Sequence, residues 1–421
     1  MTESIFHNVE HLHIELTNLC NASCPSCPRN FSNSFLLRPG LKLNTWTLED
    51  FKKRLPPEFL TSVDHINFCG NHGDPVACKE LLGILEYLDE INVRVIEMHS
   101  NTGAKTAATW SKIGELFARN KDWVMIFSVD GLEDTNHLYR RNVKWNKVEQ
   151  NIKAFTQHGG TSDWDFLVFK HNEHQIEEVK QLSKDWGVKN FTPKIPANVD
   201  TGEGLQRMPA MNNEGYLDYY IEASTNPKYR PDVEDENLIS TLNLSFEPEN
   251  YNRLMSQPEK DISECEKHDI KPRDIDNVKI VPKCKKSHNT SSIYIDANGI
   301  VMPCCWVGLY TPMINEFKMT GHILGHETWQ LYDMVEKAGG WDKLDLNKYS
   351  IEEIITSGVL QEVFEDKWDK TVAEGKSSIC ANYCGGSNIV DQIYTSDEIE
   401  SERYNPLKEA WREIKNERTN S

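Results

Sequence analysis

Three cysteines fall within eight residues near the start of the chain, Cys20, Cys24 and Cys27, in the run Leu19-Cys20-Asn21-Ala22-Ser23-Cys24-Pro25-Ser26-Cys27-Pro28. The spacing is C-x3-C-x2-C, so one short loop must bring three thiols together. Three thiolates are one short of the four that close a zinc or iron–sulfur site. An iron–sulfur cube held this way keeps one iron open to a substrate or cofactor. Zinc with His11 or His13 as fourth ligand satisfies the same count. Buried structural cysteines would not need such clustering.

Short apolar runs alternate with amphipathic stretches through the first half of the chain. Strands are expected at His11 to Leu16, Val63 to Phe68, Asn92 to Met98, Trp123 to Val129, Asp165 to Phe169 and Phe191 to Pro193. Helices are expected at Glu80 to Asp89, Ala107 to Arg119, Lys147 to His158 and Gln175 to Trp186. This alternation means βα units and a parallel sheet. Polar, glycine-rich segments recur where the strands end, the rim on which α/β barrels build their sites, and the cysteine loop lies on that rim.

Residues 225 to 280 are rich in Asn, Pro, Asp and Glu, and read as a linker or irregular insertion. Order returns with a strand at Ser291 to Ile295, a turn at Asp296-Ala297-Asn298-Gly299 and a return strand from Val301 and Met302. Helical patterns follow at Thr328 to Ala338, Ile351 to Trp368 and Pro406 to Lys415. A second cysteine set lies here. Cys284 and Cys304 flank Gly299 as C-x14-G-x4-C, and Cys380 and Cys384 form a later C-x3-C pair. Four thiolates close a second cluster, with structural zinc as the rival. Adjacent side chains on an extended strand point opposite ways, so only one of Cys304 and Cys305 is the ordinary ligand. The offset after Gly299 selects Cys304. Cys69, Cys78 and Cys265 show no ligand spacing and read as packing or surface cysteines.

The chain has 421 residues, enough for one large domain and a smaller one. A formal charge of −19, from 46 basic and 65 acidic residues, argues against nucleic acid and against an anionic membrane surface. No apolar run approaches the length of a membrane span, and the N-terminus lacks the regions of a signal peptide. Eleven cysteines without an export signal read as metal ligands in a reducing cytoplasm.

With these motifs in place, the sequence resembles the radical S-adenosylmethionine (SAM) enzymes. Beside the cysteine loop, Gly70-Asn71-His72-Gly73-Asp74-Pro75 is similar to the family's Gly-Gly-Glu-Pro motif, whose turn faces the SAM ammonium. Ser100-Asn101-Thr102-Gly103 resembles the Thr-Asn-Gly end of the third strand. Ser128-Val129-Asp130-Gly131 resembles the end of the fourth, whose serine meets the SAM amino acid or ribose. The matches run in order over residues 10 to 175. The second cysteine set is similar to the C-terminal SPASM or shortened "twitch" extension, with one auxiliary cluster. Ser26 stands where an aromatic residue is common, Asp74 where Glu is, and Asn136 where His is. Either Arg140 or Arg141 could meet the SAM carboxylate, and Arg140 fits the offset from Gly131.

The resemblance implies an α/β fold: a partial (β/α)6 radical SAM barrel followed by a smaller α+β SPASM/twitch-like iron–sulfur domain. Residues 1–225 would form the core, 226–280 the linker, 281–390 the auxiliary domain and 391–421 a helical tail. The implied metal ligands are Cys20, Cys24 and Cys27 at a SAM-binding [4Fe-4S] cluster, and Cys284, Cys304, Cys380 and Cys384 at an auxiliary iron–sulfur cluster, expected to be [4Fe-4S]. The implied cofactor residues are Gly70, Asn71, His72, Gly73, Asp74, Ser100, Asn101, Ser128, Asp130, Arg140 and Asn172. Reductive cleavage of SAM would give a 5′-deoxyadenosyl radical that takes a substrate hydrogen, with a flavodoxin or ferredoxin as reducing partner. An auxiliary cluster fits an oxidative outcome. The first strand begins almost at once, without room for a small peptide-recognition domain before it, which favours a small molecule, or a peptide presented by a separate partner. A peptide-modifying maturase, forming thioethers or epimerising residues, is the alternative. A non-catalytic electron-transfer or scaffold protein is the alternative of another class. His72, His99, His171 and His174 are acid–base candidates on the rim.

Overall fold

The structure, a computed structural model, describes residues 8–196, 207–230, 274–277, 279, 291–320 and 326–384. Six strands form the core sheet: β1 (His11–Ile14), β2 (His65–Phe68), β3 (Val95–Ser100), β4 (Trp123–Ser128), β5 (Ser162–Leu167) and β6 (Asn190–Lys194). Each is parallel to its neighbour, in chain order. Period-two alternation decides the faces. Leu12, Ile14, Ile66, Phe68, Ile96 and Met98 are buried in the core shared with the helices, where Phe127 meets Phe155 and Phe117 meets Trp123. The alternate positions, among them His13, Asn67, Glu97, His99, Asp165 and Lys194, are half-buried and form the inner wall of a partial barrel. The expected α/β architecture is present.

Helices occupy Leu81–Glu90, Ala107–Arg119, Trp145–Thr156 and Ile176–Asp185. These match the periodic segments of the sequence within two residues. β5 begins three residues earlier than its apolar run suggests, because Asp163 and Asp165 point to the inner wall while Trp164 and Phe166 enter the core. The single helix expected over Ile351 to Trp368 is broken. Ile351–Thr356 and Val359–Val363 are separated at Gly358, which adopts φ 77°, a left-handed conformation that glycine takes without a Cβ clash. A hairpin absent from the sequence reading, β7 (Arg207–Met211) and β8 (Leu217–Glu222), packs against the rim. The Tyr219 hydroxyl donates to the Leu138 carbonyl at 2.6 Å. The helical tail expected at Pro406 to Lys415 lies outside the described residues.

The segment read as the start of a separate domain first joins the core sheet. β9 (Ser292–Ile295) pairs in parallel with the free edge of β1, and β10 (Val301–Met302) returns antiparallel to β9. The sheet order is therefore β10-β9-β1-β2-β3-β4-β5-β6. The Asp296–Gly299 turn is anchored by Trp46 Nε1 and Asn44 Nδ2, both donating to the Ala297 carbonyl at 2.8 Å. Asp296 Oδ1 accepts from Asn298 N (2.9 Å) and Ile300 N (2.8 Å).

Burial raises the Asp296 carboxyl from its ordinary value of 3.8 to about 7, against those backbone hydrogen bonds. Its contribution to stability is fully present below the ordinary carboxylate pKa and lost as pH rises through the folded value. An Asp296→Asn variant keeps an acceptor for both amides and removes the buried charge. Its gain in melting temperature over the unsubstituted protein is expected to be small near about pH 5 and to grow toward about pH 8. A gain that is flat across this range would remove Asp296 as the source.

Candidate functional site

The cysteine loop leaves β1 and is held by backbone carbonyls. Cys27 N donates to Cys24 O at 3.0 Å, and Asn30 Nδ2 donates to the same carbonyl at 2.9 Å. Arg141 clasps the loop from outside. Its Nε donates to Ser23 O (2.7 Å), its Nη2 to Asn33 O (2.8 Å) and Ser34 O (3.0 Å), and its Nη1 to Met211 O on β7 (2.7 Å). Farther along, Arg38 Nε donates to Pro28 O at 2.6 Å. The same guanidinium pairs with Glu316 at 2.8 Å, both side chains being almost wholly buried. Removing one partner of such a pair leaves an uncompensated buried charge. The helix Thr311–Thr320 thereby fixes the far side of the cysteine loop.

The three thiols lie close enough to repel one another as thiolates. Burial pushes Cys20 up, helped by Asp74, Cys24 and Cys27. It also pushes Cys24 up, against the nearby Arg140, and Cys27 up to about 12, with Cys24 adding to the effect. A nucleophilic cysteine needs the opposite shift. These thiols ionise only with a cationic partner that compensates the burial, as a coordinated metal does. Among the described residues no group of three or more His, Cys, Asp or Glu side chains is arranged to hold a single metal ion. All three sulfurs already have polar hydrogens on them, Cys27 from the Arg29 backbone N–H. Ala22 N and Asn101 Nδ2 donate to Cys20 Sγ at 3.3 and 3.4 Å, and Arg140 Nη1 lies 3.8 Å from Cys24 Sγ. N–H groups on ligating sulfur tune iron–sulfur centres, so the donor set fits such a cluster.

The rim motifs surround this loop. In the turn after β2, Gly73 lies so close to the cysteine loop that an added Cβ would be 1.9 Å from Thr17 O and 2.6 Å from Asn18 Cα. Asp74 is buried and faces the protein, accepting from Ser100 Oγ (2.9 Å), Asn101 N (2.8 Å) and Val76 N (3.0 Å). It ties the end of β2 to the end of β3 and leaves Asn101 over Cys20. Asp130 is fully buried and pairs with Arg140 Nε at 2.5 Å while accepting from Leu167 N. Burial lowers the Arg140 guanidinium's affinity for its proton, but Asp130 and Cys24 more than reverse this, so it stays cationic. Asn172 is fully buried, donating to Asp130 O (2.8 Å) and Leu167 O (2.9 Å) and accepting from Phe169 N (2.7 Å), a brace beneath the rim. Ser128 ends β4 half-buried, and Gly70 and Asn71 open the turn.

Sequence reasoning missed Glu15. Its carboxylate, 2% exposed, accepts from His72 N (2.6 Å) and Gly73 N (2.7 Å), and from Tyr294 OH on β9 (2.8 Å). Burial would raise it, but these hydrogen bonds and the His72 imidazole hold it below the ordinary carboxylate range. The signal was a lone acid between Ile14 and Leu16, both fully buried. Of the rim histidines, His72 is buried and His174 exposed. His99 donates to Glu97 at 2.7 Å. His171 stacks on Phe169, and burial lowers it to about 4, so it is neutral near pH 7.

Of the second cysteine set, Cys284 lies outside the described residues, as does Cys265. Cys304 precedes the short helix Cys305–Gly308, and Cys380 and Cys384 lie one turn apart on the helix Ser378–Cys384 that packs against it. Cys305 lies toward Cys69 and Tyr294, whose ionisation its thiolate would oppose. Cys78 is a core thiol donating to Trp46 O.

No protein-family model and no curated protein matches the sequence. Among solved structures, the chain is similar to Streptococcus suis SuiB bound to S-adenosylmethionine, with 14% identity and a TM-score of 0.42 over 71% of this chain and 62% of that one. It is similar to BtrN in complex with AdoMet and 2-DOIA, with 15% identity and a TM-score of 0.35 over 89% of this chain and 92% of that one. Methylornithine synthase (PylB) matches at 14% identity and a TM-score of 0.32, over 44% of this chain and 55% of that one. The chain thus spans about three fifths of the length of SuiB. No helix among the described residues is long and apolar enough to cross a membrane.

Proposed function

We propose that this chain is a radical SAM enzyme that oxidises a small polar molecule with the help of one auxiliary iron–sulfur cluster. The observation that carries the reading is the convergence of three thiols, Cys24 buried and Cys20 and Cys27 half-buried, with Asn101 and Arg140 at one end of a parallel sheet. A [4Fe-4S] cluster on Cys20, Cys24 and Cys27 would supply an electron to SAM at its open iron, giving methionine and a 5′-deoxyadenosyl radical that takes a substrate hydrogen.

The chain's own residues then bind and orient. Arg140, fixed by Asp130 and directed toward Cys24, is the guanidinium available to the SAM carboxylate, because Arg141 is engaged by four backbone carbonyls. The turn Gly70–Asp74 offers backbone carbonyls to the SAM ammonium, and Ser100 and Asn101 shape its approach. Ser128 stands at the end of β4 for the amino acid or ribose part. Asn172 and Asp74 act as positioning residues through the contacts described above. Cys304, Cys380 and Cys384, with Cys284, would hold the auxiliary cluster, to which a substrate electron could pass.

The inner wall supports a polar substrate. Glu97 and His99 are paired at 2.7 Å with side chains 35% and 24% exposed, and Asp165 and Lys194 at 2.6 Å with 18% and 28%. Groups this accessible can exchange their partners for substrate hydroxyl or amine groups. The test is anaerobic reconstitution with iron and sulfide, reduction with dithionite and assay for 5′-deoxyadenosine. Formation of 5′-deoxyadenosine and methionine from SAM is expected. A reduced, intact cluster that cleaves no SAM would reject the enzyme and favour a scaffold or electron carrier.

A further inference from the structure

We propose that Glu15 and Tyr294 are positioning residues that fasten the cofactor turn to the C-terminal cysteine segment, so that the turn binds SAM only in the shape this segment imposes. The inference rests on the radical SAM reading for the identity of the ligand, but its tether is a property of the fold. One carboxylate oxygen of Glu15 accepts the backbone N–H groups of both His72 and Gly73, at 2.6 and 2.7 Å. The other accepts the Tyr294 hydroxyl at 2.8 Å and lies 3.6 Å from His72 Nδ1. Glu15 and Tyr294 are both essentially inaccessible to solvent. The phenol is therefore the donor that lets the second oxygen remain ionised away from water.

Tyr294 is itself fixed. It lies on β9, opposite His13 of β1 in the parallel register, with the two rings edge to face at 5.0 Å. From there the chain passes through β10 to Cys304 and Cys305, ten and eleven residues farther along the sequence. A second tether comes back from that point, since Asn71 Nδ2 donates to the Cys305 carbonyl at 2.7 Å. Asn71, His72 and Gly73 are thus held on one side by Glu15 and on the other by the backbone that carries the second cysteine set. A turn with its amides pinned at both ends presents its remaining carbonyls in one direction. Loss of either tether frees it to rotate them away from the thiol loop.

The test uses the full chain, reconstituted anaerobically, with Tyr294→Phe as the main variant and Asn71→Ala as the second. Tyr87→Phe, in the helix Leu81–Glu90, is the control for removing a phenol elsewhere. Amide hydrogen exchange is read at His72 and Gly73, and SAM binding by equilibrium dialysis in the same samples. Tyr294→Phe and Asn71→Ala are each expected to speed exchange at these two amides and to weaken SAM binding, both by about tenfold, as for loss of one hydrogen bond to a charged or buried group. Iron content should stay unchanged, and Tyr87→Phe should do neither. Unchanged turn exchange and unchanged SAM affinity in both tether variants, with only a lower melting temperature, would overturn the inference. Faster turn exchange in a protein that already binds no SAM before substitution would sustain the tether and remove the cofactor reading instead.

Discussion

Alanine at Cys20, Cys24 and Cys27 together is expected to abolish 5′-deoxyadenosine formation and to remove about four irons per chain, leaving about four at the second set. Each of the three thiols is pushed up by its surroundings and, at Cys20 and Cys27, by its neighbours, so none is a useful nucleophile alone. The loop that presents them is held by Arg141, Asn30 and Arg38 through backbone carbonyls, so the side chains can be removed without removing the frame. Iron and sulfide analysis separates the two sites. Zinc without sulfide in the triple variant would reject the auxiliary cluster, while an unchanged iron content would move the first cluster elsewhere in the chain.

Gly73→Ala is expected to be nearly as severe without touching a ligand. The new methyl group would meet Thr17 O and Asn18 Cα, and that backbone has nowhere to go. Thr17 Oγ1 donates to Asn44 O at 2.9 Å, and Asn18 exchanges hydrogen bonds with Lys42 O and Asn44 N, both at 2.7 Å. Overpacking against fixed atoms costs about 1–3 kcal/mol or more. The turn must therefore move off the cysteine loop, taking Asp74 and Asn101 with it. A fall in melting temperature together with failure to load the first cluster is the expected result. Gly83→Ala, in a helix with its nearest neighbour at 3.5 Å, should be neutral or stabilising and serves as the control. A Gly73→Ala protein that loads iron and melts as before would show that the two loops are not in contact.

Much of the fold was legible because its signals are local. Helix Ala107–Arg119 carries a 3.6-residue apolar period from Trp110 to Phe117, and the periodic segment has the same bounds as the helix. The six core strands are marked by apolar runs whose ends differ from the observed ones, most clearly at β5, where inner-wall aspartates break the run. The β7–β8 hairpin went unread. Its register carries an irregularity between Ala210 and Met211, and much of β8 is exposed, so no clean alternation marks it.

Arg140 and Arg141 show where sequence stops. They are neighbours of the same type, and nothing in their order separates a guanidinium poised over a thiol from one clasping four carbonyls. The difference comes from the elements that converge on them, the cysteine loop, β7 and the Asp130 strand end. Glu15 and Tyr294 make the same point across 279 residues of sequence.

The three-thiol loop, the order of βα units and the rim on which the motifs fall are legible in the chain alone, because spacing and periodicity are properties of a few consecutive residues. Packing across distant elements sets Arg140 rather than Arg141 beside Cys24, puts the buried Glu15 on the Gly70–Asp74 turn, and brings the C-terminal cysteine segment in through β9 as a neighbour of β1. Those choices depend on which distant backbone fills an open sheet edge and which buried charge finds a donor, and packing settles both.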